Sequence, residues 1–297
     1  MFRQRPLVTK TILRWYRANG RALPWRNIRD PYKVFISEVM LQQTQVSRVL
    51  EKFPLFLERF PSFDRLARAR KSSVVRAWRG MGYNNRAIRL QQTAKRIVRD
   101  FDSRLPVDVR TLQSLPGIGK YSANALASFI GKAHVPVVET NVRRVLSRLF
   151  PAEARQLDEW ELARRVLPRT HAYDWNQALM DFGATVCKAV APKCRSCPLE
   201  NSCPSAFVVT SKKIRSKPNE PSRYGIPNRV YRGRIVEILR GARTHAGLRV
   251  AEIGKRILPR FGKNDEAWLN RVLNSLELDG LVARKIRANK RLIELAD

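Results

Sequence analysis

The chain has 297 residues, 44% of them hydrophobic, with 58 lysines and arginines against 25 aspartates and glutamates, a net charge of +33. That length suits about two domains with real cores, and so positive a field attracts polyanions, which fits a nucleic-acid partner or merely a solvated, ribosome-bound surface. No run of about 18 apolar residues occurs, so no membrane-spanning helix is expected. Residues 1–19 lack the apolar stretch of a secretory signal, so the chain is expected to stay inside the cell.

In chain order, the apolar spacing predicts helices over Thr9–Arg17 and through Val34–Phe60, with Pro54 at a helix start or break. Val74–Trp78, Ala87–Phe101 and Tyr121–Ile130 continue the pattern. Glycines and prolines fall between them as punctuation. Strand signals are nearly absent as far as Ala206, so this region reads as all-α, with about ten helices. Residues 207–228 are rich in Ser, Pro, Lys and Arg and read as a basic linker. Helical spacing returns over Val230–Leu239, Val250–Leu258 and Glu266–Leu278. Leu281–Ile286 and Arg291–Leu295 then alternate like two strands about an Asn289-Lys290 turn. Three helices and a hairpin over 229–297 resemble a winged helix, a module used for DNA binding or for docking proteins.

Three patterns carry chemistry. Cys187, Cys194, Cys197 and Cys203 are all the cysteines of the chain. In a reducing compartment such a cluster reads as metal ligands rather than disulfides, and spacing alone admits zinc as well as iron–sulfur. Leu115-Pro-Gly-Ile-Gly119 precedes Lys120-Tyr121 and a helix. Its glycines, Gly117 and Gly119, permit a tight turn and close approach, and the helix start offers free N–H groups to a phosphate. Taken alone, such a turn is more often structural. Glu38 lies among Val34, Phe35, Val39, Met40 and Leu41. A carboxyl in apolar company has a raised pKa and suits a general acid, although a glutamate on an amphipathic helix more commonly faces water.

Together these motifs resemble the MutY-type adenine DNA glycosylases of the helix-hairpin-helix, or endonuclease III, superfamily, over about Leu23–Pro204. Leu23-Pro-Trp-Arg26, Ser37-Glu-Val-Met-Leu-Gln-Gln-Thr44, Gly80-Met-Gly-Tyr83, Leu115-Pro-Gly-Ile-Gly119, Asn141-Val-x-Arg-Val145 and the cysteine array match in order. The resemblance implies a two-lobed fold, with one lobe over 27–132 and another joining 1–26 to 133–206 around an iron–sulfur loop at 187–203. It implies one [4Fe–4S] cluster on the four cysteines. Glu38 protonates a flipped adenine, Glu139 stabilises the sugar cation, and Tyr121 and Asn141 support Glu139. Gln43 and Tyr83 wedge into the base stack, and Arg26, Gly117, Gly119, Lys120 and Arg143 belong to the DNA-contacting motifs.

The implied substrate is double-stranded DNA carrying adenine opposite 8-oxoguanine or guanine, attacked by a monomer in the cytoplasm or nucleoid of a prokaryote. Thymine or uracil mismatch excision, and a DNA-binding protein with a degenerate pocket, are the alternatives. Three departures stand out. Glu139 replaces the family's aspartate, and Asn84-Asn85 replace a tyrosine and a small residue. Tyr121 occupies the place of the lyase lysine, which implies hydrolysis without strand cutting. The C-terminal segment does not read as the Nudix-like domain of many relatives.

Overall fold

In the computed structural model, residues 2–208, 220–242, 247–287 and 289–297 are described. The chain runs through α1 (Arg5–Asn19), α2 (Pro31–Leu41), α3 (Val46–Arg59), α4 (Phe63–Arg68), α5 (Lys71–Ala77) and α6 (Asn85–Asp100). There follow α7 (Val109–Gln113), α8 (Lys120–Phe129), α9 (Thr140–Leu149), α10 (Pro151–Ala154), α11 (Glu159–Val166) and α12 (Ala172–Thr185). Two 3-10 turns, Cys194–Ser196 and Glu200–Ser202, close this helical series. By contacts the chain divides into two compact units: Met1–Glu38 with Pro106–Ile214, and Val39–Leu105 with Arg215–Asp297.

The first unit is built around α12. Its Trp175, Ala178, Leu179 and Phe182 are buried against Val8 and Ile12 of α1, Val142 and Val145 of α9, and Leu162 and Val166 of α11. Gly183 lets α9 cross α12 closely, because a Cβ there would stand 2.6 Å from that of Asn141. In the same helix Asp181 is fully buried. Arg26 meets it with two bonds of 2.7 and 2.8 Å, and Arg21 adds its backbone N–H and Nε at 2.8 and 2.7 Å. Burial alone would raise the Asp181 carboxyl, but these two arginines hold it below its ordinary value.

α7 and α8 form a helical hairpin. Asp108 caps α7 by accepting from Thr111 N at 2.9 Å, and Gly117 takes the turn at φ 78°, a conformation that costs glycine little. This hairpin belongs with the first unit, not with the lobe expected to run from 27 to 132. The reason is Asn176 on α12, which bonds to Ser128 Oγ, Val135 O and Val137 N at 3.1, 2.9 and 3.1 Å. Phe129 also packs edge-on against Tyr173 at 5.7 Å.

In the second unit, α6 packs on α4 and α5 through Ala87, Ile88, Leu90, Ala94 and Ile97. Pro54 lies inside α3 rather than at its edge. The buried face of Val49, Phe53 and Phe56 keeps the helix intact despite the donor that proline lacks. The break falls instead between Leu41 and Val46, where Gln43 turns left-handed at φ 55°.

The C-terminal part holds a short antiparallel pair, β1 (Ser222–Arg223) and β2 (Ile226–Pro227), then α13 (Asn228–Gly241), α14 (Val250–Ile257) and α15 (Lys263–Leu278). β3 (Val282–Arg287) and β4 (Lys290–Leu295) form the expected hairpin, and Leu248 bridges to Ile293. This is the winged-helix order. Lys290, expected in the turn, starts β4 opposite Arg287, while Asn289 turns at φ 56°. Of the expected linker, 209–219 lies outside the described residues. Its later part is ordered as β1, β2 and the start of α13, because Tyr224 and Gly225, both at positive φ, close a tight hairpin.

Removing Asp181 strands the Arg26 guanidinium, whose side chain is 6% exposed. We expect Asp181→Ala to lower stability by about 3–5 kcal/mol, read as a shift of the urea midpoint at unchanged slope.

Candidate active site

Glu38 is the last residue of the first unit's share of α2, after the buried Val34, Phe35 and Ile36. Its own exposure is 5%. Ser122 Oγ donates to Glu38 Oε1 at 3.0 Å, and the Tyr121 hydroxyl also bonds to the carboxyl. Both partners sit in the first turn of α8, directly after the glycine turn. Burial pushes the Glu38 pKa up to about 7; Ser122 opposes this and the nearby charge of Glu139 adds to it. The Tyr121 phenol is raised well above its ordinary value, first by burial and then by the charges of Glu38 and Glu139. It therefore stays protonated, as a donor.

Glu139 is the N-cap of α9. Its Oε1 accepts from Val142 N at 3.0 Å and its Oε2 from Asn141 Nδ2 at 3.1 Å. The extra methylene relative to aspartate is thus taken up in a local capping loop. Asn141 Oδ1 in turn accepts from Arg144 Nη2 at 2.6 Å, and Arg144 reaches Gly183 O and Cys187 O at 2.7 and 2.8 Å. Arg148 continues the link, with Nη1 3.4 Å from Cys187 Sγ and 2.7 Å from Lys188 O. The structure brings Glu38, Tyr121, Glu139 and Asn141 into one site.

All four cysteines are free and half-buried, and they line one cavity with Arg148, Leu149, Phe182, Val186 and Pro192. Burial pushes Cys197 up to about 11, with the sulfurs of Cys203, Cys187 and Cys194 adding to it. The thiols therefore sense one another. Among the described residues, no three His, Cys, Asp or Glu stand close enough to chelate a single ion.

The other expected residues divide. Arg26 is no DNA contact: its guanidinium is buried on Asp181 and cannot reach a phosphate. Arg143 is exposed but paired with Glu159 at 2.5 Å. The Lys120 ammonium lies 4.3 Å from the Trp160 ring centroid. Gly119 caps α8 without any side-chain partner, and a Cβ there would meet nothing within 4 Å.

In the second unit, Gln43 and Tyr83 both stand exposed in left-handed turns, at φ 55° and 42°. Such a conformation is strained for an L-residue. One buried arginine holds both turns. Arg86 donates to Val39 O, Met40 O and Gln42 O at 3.0, 3.0 and 2.5 Å. It also reaches Thr44 Oγ1, Met81 O and Gly82 O at 2.9, 2.8 and 3.2 Å. No carboxylate appears among these partners, and burial lowers its pKa to about 10. Sequence reasoning missed Arg86, Ser122 and Asp181, and gave no role to Arg144, which lies in the quoted Asn141-Val-x-Arg-Val145 motif. A serine beside Tyr121 was the only available signal for Ser122; the arginines are hidden in a chain full of surface arginines.

Residues 36–169 match the HhH-GPD superfamily base excision DNA repair protein family. The chain is 38% identical over 282 residues to the adenine DNA glycosylase of Mycolicibacterium smegmatis, covering 91% of each. Against the human adenine DNA glycosylase it is 38% identical over 65% of this chain and 38% of that one. A thermostable thymine-DNA glycosylase superposes with a TM-score of 0.65 at 29% identity, over 69% of this chain and 98% of that one. An endonuclease III–DNA complex shares the fold, with a TM-score of 0.63 at 21% identity over 70% and 97%.

The Glu38 shift from 4.5 to about 7 is worth about 3 kcal/mol. Folded chain keeps a proton that unfolded chain releases, so stability falls as pH rises from about 4.5 to about 7. Glu38→Gln removes that titration. Its stability relative to wild type is expected to rise across this window, by up to about 3 kcal/mol, in melts at about pH 4 and pH 8. A difference independent of pH would show that Glu38 is not held dry.

Proposed function

This chain belongs to the adenine DNA glycosylases of the HhH-GPD superfamily, and from that premise we propose that it hydrolyses adenine from double-stranded DNA where adenine is mispaired with 8-oxoguanine or guanine. It is a DNA N-glycosylase of base excision repair. One observation carries the adenine reading: a carboxyl kept dry at a pKa of about 7, beside a second carboxylate. Adenine leaves poorly as an anion. Glu38 gives its proton to N7, the C1′–N9 bond breaks, and the bonding electrons leave with the neutral base. Water then adds to C1′ and gives its proton back to the Glu38 carboxylate, while the Glu139 carboxylate balances the sugar cation. Asn141 orients Glu139, and Ser122 and Tyr121 orient Glu38.

On the DNA side, the uncapped start of α8, with Gly117, Gly119 and Lys120, receives a phosphate. Arg143 adds a surface charge, and Gln43 and Tyr83 enter the stack vacated by the flipped base. No amine stands where Tyr121 does, and Lys120 is engaged with Trp160. The reaction therefore ends at an abasic site. A monomer inside a prokaryotic cell, at its nucleoid, is the setting we infer; no helix among the described residues is long and apolar enough to cross a membrane.

The four cysteines fit a [4Fe–4S] cluster. They share one cavity, and a four-iron core spreads its thiolates further apart than a single zinc does. Bound there, the cluster supplies a structural tie for the loop over 187–203. The purified protein is expected to be yellow-brown with broad absorbance in the blue. Colourless protein with stoichiometric zinc after anaerobic purification would overturn the cluster.

A second reading, thymine or uracil mismatch excision, draws on the likeness to the thymine-DNA glycosylase. Duplexes holding A:8-oxoguanine, A:G, T:G and U:G pairs separate the two. We expect single-turnover adenine release that declines above about pH 7, with no borohydride-trapped adduct. Glu38→Gln should slow it by about 10²–10⁴ at unchanged duplex affinity. Release of thymine or uracil alone would replace the adenine reading.

A further inference from the structure

The winged-helix part of the second unit is not an independent module. Val75 of α5 and Ile88 of α6 belong to the same hydrophobic cluster as Tyr231, Ile235, Val236, Leu269, Leu273 and Ile293. Polar contacts frame this shared core. Arg76 donates to the carbonyls of Arg240 and Ala242, Arg79 pairs with Glu237, and Ser72 bonds to Asp297.

At the centre of this junction lies Arg240, at the end of α13. Its side chain is only 6% exposed. Nε donates to Val75 O at 2.9 Å, Nη1 to Glu237 at 3.2 Å, and Nη2 to Asn84 Oδ1 at 2.7 Å. Asn84 directly follows Tyr83, the exposed aromatic held at φ 42°. The turn is thus gripped twice. Arg86 takes Met81 O and Gly82 O before Tyr83, and Arg240 takes Asn84 after it. Beside the grip, a cleft of about 470 Å³ is lined by Tyr83, Asn84 and Asn85 on one side and Arg229, Arg232 and Asp279 on the other. Tyr83 is exposed at this cleft, its ring centroid 5.8 Å from the Arg86 guanidinium, while its neighbour Asn84 is pinned.

We propose that Arg240 is a positioning residue: through Asn84 it makes the C-terminal part the buttress of the Tyr83 turn, so that this part controls extrusion of the base rather than affinity for DNA. The inference rests on the reading of Tyr83 as the wedge. A left-handed tyrosine relaxes unless both flanks are fixed, and a charged bond with little access to water is a strong fixture. Affinity, in contrast, follows the phosphate contacts and the net charge, which the Asn84–Arg240 bond does not touch.

The test uses the full chain and a duplex with a non-cleavable 2′-fluoro-adenine opposite 8-oxoguanine, next to 2-aminopurine, whose fluorescence rises on unstacking. Single-turnover release is measured on the cleavable duplex. Asn84→Ala is expected to lower both signal and rate about tenfold with Kd unchanged, at a Tm lowered by the loss of one buried bond but still well above the assay temperature. Asn84→Asp keeps the acceptor and should restore the rate. Arg240→Met should add nothing in the Asn84→Ala background. Wild-type signal and rate in Asn84→Ala would overturn the proposal, as would an Asp variant no better than Ala. If Arg240→Met fails to fold, the two Asn84 variants still decide. A wild-type chain that neither unstacks the duplex nor releases adenine would instead bring down the wedge reading on which the proposal stands.

Discussion

Keeping a carboxyl protonated near neutral pH requires taking it out of water, and the first unit is arranged around that requirement. Glu38 is the one carboxyl of α2, and it is buried. Left without partners it would be a costly defect. Ser122 and Tyr121 supply the partners, and both come from the start of α8. α8 can place them there because its following residues, Ala123 to Ser128, are buried almost all round. The glycine turn before α8 therefore serves two ends at once: it aims Tyr121 and Ser122 inward and leaves the N–H groups of the helix start without a side-chain cap.

The second carboxylate is held by different means. Glu139 is fixed by the backbone of the helix it caps and by Asn141, not by burial. Through Asn141 and Arg144 its position is tied to the carbonyl of Cys187. One acid is kept dry by burial, and the other is held by hydrogen bonds from a backbone N–H and an amide.

The helical class, the cysteine array and the hairpin glycines were legible in the sequence as periodicity and short motifs, whereas Glu38 and Glu139 were singled out together only through the family resemblance. Arg26 was not. It lies in a matching motif, but its partner Asp181 is 155 residues away, and no local pattern announces such a pair. Pro54 misled for the opposite reason: a local rule was overridden by the buried face of α3. The two-residue strands at 222–227 are too short to show a period. Asn84 looked like a mere departure from the related sequences, and only the structure gives it a partner, Arg240. Arg86 stayed hidden because a buried, carboxylate-free arginine looks in sequence like any other in so basic a chain.

The hydrophobic cluster joining Val75 and Ile88 to the C-terminal helices has a consequence for how the chain is made. Val75 and Ile88 stand more than 140 residues before the other members, which run from α13 to β4. A ribosome releases the N-terminal members long before the last strand exists. Until then Val75 and Ile88 lack the C-terminal side chains that complete their cluster, and contacts of such long separation close slowly. The first unit meets its last partners earlier, when the cysteine loop emerges. The turn bearing Tyr83 thus gains its second support only after α13 and its Arg240 have been made.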